Sequence, residues 1–220
     1  MLLLTFEGID GSGKSTQARL LDEYLQENGH ETLLVREPGG TELSERIRSL
    51  LLEPDLNVHP MAELLLFSAA RTQLVAERIR PALDAGRIVI CDRFYDSTTA
   101  YQGAGRGVAE PAWLQSFHRR VTDGLVPDRT YLVELAPETA RARRDEDEAK
   151  GDRMEAENDD FYHRVAAAYD TLADEHPDRI QRLDGHRSID ALHAAIRADV
   201  EALLNAESGT PHVGSGSSDP

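Results

Sequence analysis

The sequence predicts an α/β protein in which helices wrap a parallel sheet. Five short apolar segments rich in β-branched residues alternate with longer segments of helical character. Two of the five, residues 2–6 and 88–91, are apolar almost throughout, which is typical of central strands covered on both faces. We therefore expect these two strands to be neighbours in the core. The other three predicted strands are residues 32–35, 130–135 and 180–183.

Proline and glycine mark the ends of the predicted helices. A first helix is expected over residues 14–28, and Pro60 can begin a long helix that ends near Gly86. Pro111 and Pro137 lie near two further helix starts. A chain of 220 residues can build one compact domain from these elements.

Two regions differ from this pattern in composition. Residues 141–160 are almost entirely charged, which predicts a surface helix, a flexible lid or both. The residues after Glu207 are rich in glycine and serine, which is typical of a disordered terminus. We therefore expect one domain over residues 1–206, a lid near 141–156 and a disordered tail over 207–220.

The charge balance limits the partners of the chain. There are 40 acidic and 24 basic residues, a net charge of −16, whereas a nucleic-acid partner requires a concentrated positive surface. Only two of the basic residues are lysines, which leads to the hypothesis of adaptation to high salt. No basic segment follows Met1 and no apolar segment reaches the length of a membrane span, so we expect a cytoplasmic protein without a membrane partner. The single cysteine, Cys91, is expected to be buried and reduced.

A phosphate-binding motif directly follows the first apolar strand. The pattern G-x-x-x-x-G-K-[ST] is matched by Gly8, Gly13, Lys14 and Ser15, between a strand and a helix as the pattern requires. In such a loop the backbone N–H groups face phosphate oxygens, Lys14 reaches the transferred phosphate, and Ser15 coordinates magnesium. The alternative is a plain glycine-rich turn. The residues expected to bind ATP are Gly8, Ile9, Asp10, Gly11, Ser12, Gly13, Lys14, Ser15 and Thr16.

Asp92 and Arg93 follow the second buried strand. Because the carboxyl ends of parallel strands meet at one edge of the sheet, Asp92 is expected beside the phosphate loop, where it can hold Mg²⁺. The alternative is an Asp that caps the next helix. Arg93 would project into the same cleft, where bidentate contact with a second phosphate is its natural use and a surface ion pair is the alternative. Ser15 and Asp92 are thus the expected metal ligands, with Mg²⁺ as the cofactor.

Three segments of the chain form a distinctive set: residues 6–16 (FEGIDGSGKST), 36–41 (REPGGT) and 92–103 (DRFYDSTTAYQG). In composition, order and spacing they resemble thymidylate kinases. Residues 152–155 and 160–162 are similar to the end of the family's lid and the helix after it. The phosphate loop is shared by many NTPases, but the combination with the other two segments is specific to this family.

The resemblance implies transfer of the ATP γ-phosphate to dTMP, giving dTDP and ADP. The implied fold is a three-layer P-loop kinase with a five-stranded parallel sheet, helices on both faces and a short mobile lid. It also implies that Asp10 accepts a hydrogen bond from the deoxyribose 3′-hydroxyl and that Arg93, with Arg36 and Arg48, holds the acceptor phosphate. The resemblance also implies a homodimer, because members of the family pair through helices on one side of the sheet.

The resemblance also implies how the base is held. Phe67 can stack on thymine, Arg71 can donate to a thymine carbonyl, and Thr98 can bond the base edge. Tyr101 lies where the family crowds the sugar 2′ position. On spacing alone, Phe67 and Arg71 could equally be a core aromatic residue and a helix-surface arginine. The residues expected to bind dTMP are Asp10, Arg36, Pro38, Arg48, Phe67, Arg71, Arg93, Thr98, Tyr101 and Gln102.

One departure from the family concerns Gly11. Some relatives carry an arginine within this loop, so the charge that stabilises the transferred phosphoryl group must here come from elsewhere. The charged segment offers Arg141, Arg143, Arg144, Lys150 and Arg153, of which Arg144 is the first choice and Arg153 the second. The acidic run 145–148 interrupts the family pattern, and the alternative is that these arginines only pair with neighbouring acids. The residues expected to be catalytic are Lys14, Arg93, Arg144 and Arg153.

Other functions fit part of the sequence. A P-loop GTPase switch would need an Asn-Lys-x-Asp element, and neither Lys14 nor Lys150 lies in one. A kinase for a different nucleoside monophosphate would share the loop and the lid but not the base pocket. A catalytically silent nucleotide-binding protein would retain binding without transfer. Turnover on a panel of monophosphates distinguishes these possibilities.

Overall fold

The computed structural model describes residues 1–146, 153 and 157–208. The strands are β1 (Leu3–Glu7), β2 (Thr32–Arg36), β3 (Ile88–Asp92), β4 (Arg129–Glu134) and β5 (Ile180–Asp184). The helices are α1 (Lys14–Glu27), α2 (Glu42–Leu52), α3 (Pro60–Leu74), α4 (Arg80–Asp84), α5 (Tyr95–Thr98), α6 (Pro111–Val121), α7 (Pro137–Glu146), α8 (Asp159–Glu175) and α9 (Ile189–Ser208). Two π-helical segments, Val75–Ile79 and Thr99–Gly105, continue α3 and α5 respectively.

All five strands run parallel in a single sheet of order β2-β3-β1-β4-β5. The predicted α/β class and the five-stranded parallel sheet are therefore confirmed. β1 pairs with β3, with Leu3 opposite Val89 and Phe6 opposite Asp92, so the two most apolar strands are neighbours as expected. Because β1 and β3 end at the same level, the loops that follow them lie side by side at the carboxyl edge of the sheet.

Helices cover both faces of the sheet, since alternate residues of β1 enter different clusters. Leu4 and Phe6 pack with side chains of α1 and α9. Leu3 instead packs with residues of β2, α3 and the π-helical turn after it. A third cluster, in which Leu132 of β4 meets Phe161 of α8, lies next to the loops at the carboxyl edge. The two faces thus bury apolar side chains in separate layers, as a three-layer fold requires.

The long helix predicted to start at Pro60 and end near Gly86 is confirmed, with one local change. Helical residues run without a break from Pro60 to Asp84, but residues 75–79 form a π-helical turn in which Arg80 N–H donates to the carbonyl of Val75. Pro81 follows immediately and has no N–H of its own. The wider turn accommodates the proline ring that a regular α-helix would force against the preceding turn.

Pro111 and Pro137 are the first residues of α6 and α7, and Cys91 is a free, fully buried thiol in β3. α9 continues to Ser208, past the predicted end of the domain at residue 206. Positions 209–220 of the predicted tail, and positions 147–152 and 154–156 of the predicted lid with Lys150, lie outside the described residues. No described helix is long and apolar enough to cross a membrane.

Candidate active site

The carboxyl ends of β1 and β3 bring the phosphate loop and the Asp92-Arg93 pair together. The loop leaves β1 at Glu7 and enters α1 at Lys14. Arg93 has a φ of 71°, a left-handed conformation that is uncommon for a residue with a side chain, and its N–H donates to the carbonyl of Phe6 at 2.9 Å. This strained turn at the end of β3 directs the Arg93 side chain toward the loop.

Asp10 connects the phosphate loop to Arg93. Its Oδ1 accepts from Nη2 of Arg93 at 2.6 Å and lies 3.4 Å from Nζ of Lys14, while its Oδ2 accepts from the Tyr101 hydroxyl at 2.9 Å. Burial alone would raise the pKa of Asp10, but the charges of Arg93 and Lys14 outweigh it and hold that pKa well below its usual range. Asp10 therefore stays ionised and can accept a hydrogen bond from a ligand.

A cavity opens beside these residues, between the phosphate loop, α2, α3 and the segment after β3. Every predicted dTMP-binding residue except Arg36 lies on its wall. The lining residues are Asp10, Glu37, Pro38, Arg48, Leu52, Phe67, Arg71, Arg93, Ser97, Thr98, Tyr101 and Gln102. The cavity thus joins an aromatic face, three arginines and the ionised Asp10, which suits a ligand with a base, a sugar and a phosphate.

Arg71 lies at the floor of this cavity and is 1% exposed. It donates to Glu37 at 2.6 Å, to the Thr98 hydroxyl at 3.0 Å and to the carbonyl of Phe94 at 3.1 Å. The alternative of a helix-surface arginine is therefore wrong. Burial raises the pKa of Glu37, and the charge of Arg71 opposes that shift. Each Nη atom of Arg71 has one hydrogen left over after these bonds, so the side chain can still donate to a ligand in the cavity.

Arg36 lies elsewhere, in a second cavity of about 370 Å³ that Ser15 and Asp92 also line. Its side chain is exposed and lies 3.3 Å from Oε2 of Glu45. Its contact with the acceptor phosphate stays a prediction. Arg48, by contrast, lines the first cavity, where its Nη1 donates to the carbonyl of Pro38 at 3.1 Å.

Ser15 and Asp92 fit a magnesium ion. Oδ1 of Asp92 is buried and accepts no hydrogen bond from any residue that the structure describes, and a buried carboxylate oxygen normally has a partner. Asp92 does not cap α5, because Phe94 is the cap residue of that helix. A hydroxyl and a carboxylate oxygen on one cavity are the ligand types that Mg²⁺ prefers.

The first choice among the charged-segment arginines, Arg144, lies against the phosphate loop. Its Nη1 donates to the carbonyl of Asp10 at 3.0 Å, and its guanidinium lies over the ring of Tyr162 at 4.6 Å. Gly11 has a φ of 85°, and a Cβ built there would lie 2.4 Å from the carbonyl oxygen of Ala140. The close approach of α7 therefore excludes a side chain from Gly11, and Arg144 supplies a positive charge beside it.

The second choice, Arg153, is bound away from the loop. Its Nε donates to the carbonyl of Leu51 at 2.9 Å, and its Nη2 donates to the fully buried Glu63 at 2.6 Å. Glu63 also accepts from Arg106 and Gln102. Burial would raise the pKa of Glu63, but these donors lower it below its usual value. Arg153 thus belongs to an ion-pair cluster between α2 and α3, and its catalytic role stays a prediction.

Four residues of the site were not identified as functional from the sequence. Glu37 holds Arg71, whereas Glu7, Ser97 and Tyr169 surround Arg93. Glu7 could have been recognised from the sequence, because a carboxylate at the end of an apolar strand needs buried partners. Tyr169 could not have been recognised, since its helical spacing with core residues of α8 is typical of packing alone.

This arrangement defines a class of protein. A phosphate loop at the N-terminus of a helix, a carboxylate at the end of the neighbouring strand and an arginine-lined acceptor cavity are the parts of a P-loop nucleoside monophosphate kinase. The phosphate loop and the acceptor cavity share Asp10 and lie at the same edge of the sheet.

Comparison with known proteins identifies the family. The thymidylate kinase family model matches residues 6–196. Thymidylate kinase of Chlorobium chlorochromatii is 46% identical over 216 residues, covering 92% of this chain and 96% of the relative, and that of Chlorobaculum tepidum is 45% identical over 210 residues, covering 92% and 98%. The crystal structure of thymidylate kinase from Ehrlichia chaffeensis superimposes with a TM-score of 0.74 at 35% identity, covering 91% of this chain and 98% of that one. The chain belongs to the thymidylate kinase family.

Proposed function

We propose that this chain transfers the γ-phosphate of ATP to dTMP, giving dTDP and ADP in dTTP synthesis. Its membership of the thymidylate kinase family makes it a kinase, and the family match supports this reaction. The observation that carries the proposal is the position of Asp10, which belongs to the phosphate loop and also lines the acceptor cavity. One residue thereby fixes the donor loop relative to the acceptor.

The donor phosphates would bind in the phosphate loop. Lys14, whose pKa is lowered by burial and by the charge of Arg93, lies at the start of α1, where the first backbone N–H groups of the helix have no intrahelical acceptor and can donate to phosphate oxygens. Ser15 and Asp92 would hold Mg²⁺, and the ion, when bound, would neutralise charge on the β- and γ-phosphates. Arg144, beside Gly11, is our candidate for the charge that stabilises the transferred phosphoryl group.

The acceptor would bind in the cavity described above. Arg93 and Arg48 would hold its phosphate, and Asp10 would accept a hydrogen bond from the 3′-hydroxyl. Phe67 would stack on the base, and the remaining hydrogens of Arg71 would be donated to a thymine carbonyl. This order of groups matches the order of phosphate, sugar and base in a deoxynucleoside monophosphate.

The sugar and the base edge involve three more residues. Tyr101 lies under the guanidinium of Arg93, 4.9 Å from ring centroid to Cζ, and would crowd a 2′-hydroxyl. Thr98 and Gln102 lie deeper on the same wall, where Gln102 is tied to Glu63 at 2.9 Å. We propose that this wall selects deoxyribose and thymine.

Release of ADP from ATP, with magnesium and a panel of monophosphates, tests the proposal. Turnover with dTMP should far exceed that with UMP, CMP and AMP, and removal of magnesium by a chelator should abolish it. The alternative function is that of a kinase for a different nucleoside monophosphate, which would show the highest turnover with another member of the panel. Equal turnover on all acceptors, or none on any, would refute the assigned base pocket.

We further propose that the chain acts in the cytoplasm as a homodimer, without a nucleic-acid or membrane partner, and that its charge is adapted to high salt. Exposed apolar side chains on neighbouring helices support the dimer: Leu43 and Leu50 of α2, Leu65 of α3 and Trp113 of α6. Sedimentation velocity should give twice the chain mass of 24.4 kDa. A monomer at micromolar concentration would refute the dimer.

A further inference from the structure

Two hydroxyl groups and a buried carboxylate hold Arg93 in place. Behind Arg93 lies Glu7, a fully buried carboxylate at the end of β1. Its Oε1 accepts from the backbone N–H groups of Phe94 at 2.8 Å and Ser97 at 3.2 Å. Its Oε2 accepts from the hydroxyl of Ser97 and, at 2.9 Å, from the hydroxyl of Tyr169. Glu7 therefore orients two hydroxyl groups, whose oxygens lie 2.9 Å from each other.

Both hydroxyl oxygens also face Arg93. Nη1 of Arg93 donates to Ser97 Oγ at 2.8 Å and to Tyr169 at 3.4 Å. A hydroxyl has one proton and two lone pairs, so a hydroxyl that donates to Glu7 has lone pairs free to accept from Arg93. Burial raises the pKa of Tyr169 well above its usual value, so its phenol keeps the proton that Glu7 requires.

The two edges of the Arg93 guanidinium have different partners. Nη2 donates to Asp10 at 2.6 Å and to the Tyr101 hydroxyl at 3.2 Å, on the side of the cavity. A phosphate that binds Arg93 must compete with Asp10 for this Nη2 edge. If Nη1 stays bonded to Ser97 and Tyr169, the guanidinium can exchange its partner on one edge without losing its position.

We propose that Tyr169, acting together with Ser97 on the Nη1 edge of Arg93, is a positioning residue for the acceptor phosphate; this rests on the role of Arg93 in the proposed function. Ser97 lies in α5, directly after Arg93 along the chain, but Tyr169 comes from α8. Of the two described partners of the Nη1 edge, Tyr169 is thus the one that comes from an element other than the segment after β3. Tyr169 makes the position of Arg93 depend on how α8 packs.

A binding experiment with dTMP alone tests this role through a double-mutant cycle. Calorimetry measures the Kd of dTMP for the wild type, Tyr169→Phe, Arg93→Ala and the double variant. Tyr169→Phe should weaken binding by about tenfold, the size expected for one hydrogen bond to a charged group, and should add less than twofold in the Arg93→Ala background. Tyr131→Phe is the matched control, because this buried phenol likewise donates to a carboxylate, Asp199 at 2.9 Å, on the other face of the sheet.

The outcomes distinguish a failure of the positioning role of Tyr169 from a failure of the proposed function. An unchanged Kd in Tyr169→Phe, or an equal loss with and without Arg93, would overturn the positioning role, since the effect would then not pass through the arginine. The positioning role would also be overturned if Tyr131→Phe weakened dTMP binding as much as Tyr169→Phe. If Arg93→Ala alone binds dTMP like the wild type, the assignment of Arg93 fails instead. Turnover of dTMP by the wild type remains a separate test of the proposed reaction.

Discussion

Replacing Arg144 and Arg153 separately by Ala distinguishes the two candidates for the charge that stabilises the transferred phosphoryl group. Arg144 lies against the phosphate loop, and arginines that stabilise the charge of a transferred phosphoryl group contribute about 10³-fold or more to kcat. Arg153 is bonded to Glu63 and to a carbonyl of α2. We therefore expect Arg144→Ala to lose about 10³-fold in kcat or more, and Arg153→Ala to stay within about tenfold of the wild type.

The expected stability losses follow from the same contacts. Arg144→Ala removes one hydrogen bond to the Asp10 carbonyl and one contact with the Tyr162 ring, together about 2 kcal/mol. Arg153→Ala removes one partner of the buried Glu63, which keeps Arg106 and Gln102, so the cost is about 3 kcal/mol, the low end for a broken buried ion pair. In a chain of this size either variant lowers Tm by about 4 to 12 °C, and both remain folded at 25 °C.

The assay is single-turnover and steady-state ADP release at saturating dTMP, with Tm measured on the same samples. Arg141→Ala is the matched control, because Arg141 lies on the same helix and its ion pair with Asp159 is exposed. Such pairs contribute about 1 kcal/mol or less, so kcat should change less than threefold and Tm by about 4 °C at most. A larger loss of kcat in Arg153→Ala than in Arg144→Ala would show that our assignment is wrong.

Three further predictions concern stability. Burial and the charge of Asp96 raise the pKa of Glu7 to about 7, so the folded state holds a proton that the unfolded state releases near pH 4.5. The stability of the wild type relative to Glu7→Gln should therefore fall by about 3 kcal/mol as pH rises from about 4.5 to 7, and then level off. Urea unfolding measures this difference, and a difference independent of pH would contradict the prediction. Gly11→Ala should be at least about 1 kcal/mol less stable than Gly13→Ala, since both have positive φ but only the first meets a neighbouring carbonyl, and equal unfolding midpoints would exclude that contact. The net charge of −16 predicts a higher thermal unfolding midpoint in about 1 M KCl than in about 0.1 M KCl, because repulsion between the acidic side chains is less screened at the lower concentration. Full stability at low salt would contradict the hypothesis of salt adaptation.

The sheet and the phosphate loop could be predicted because their signals are local. An apolar strand, a glycine-rich turn and a lysine at the start of a helix are adjacent in sequence, and strands apolar on both faces must be central. The acceptor cavity could be predicted only through the family resemblance, because Asp10, Phe67 and Tyr101 are far apart along the chain. Their spacing alone left Phe67 and Arg71 with two interpretations.

The parts that could not be predicted depend on packing between distant elements. Tyr169 and Arg93 are 76 residues apart, and Arg153 is 90 residues from Glu63. For Tyr169 the helical pattern of α8 is the same whether the side chain packs in the core or bonds a charged partner. Arg36 was grouped with the acceptor residues by its motif, yet as the last residue of the edge strand β2 its side chain is exposed.

The close approach of α7 to Gly11 limits the ways in which this enzyme could change its source of positive charge. An arginine in the phosphate loop would occupy the space that the carbonyl of Ala140 fills, so it cannot be gained by one substitution while α7 keeps its place. The loop and the helix would have to change together, and an intermediate with only one change would be destabilised. The two arrangements of positive charge therefore cannot be interconverted one substitution at a time without loss of stability.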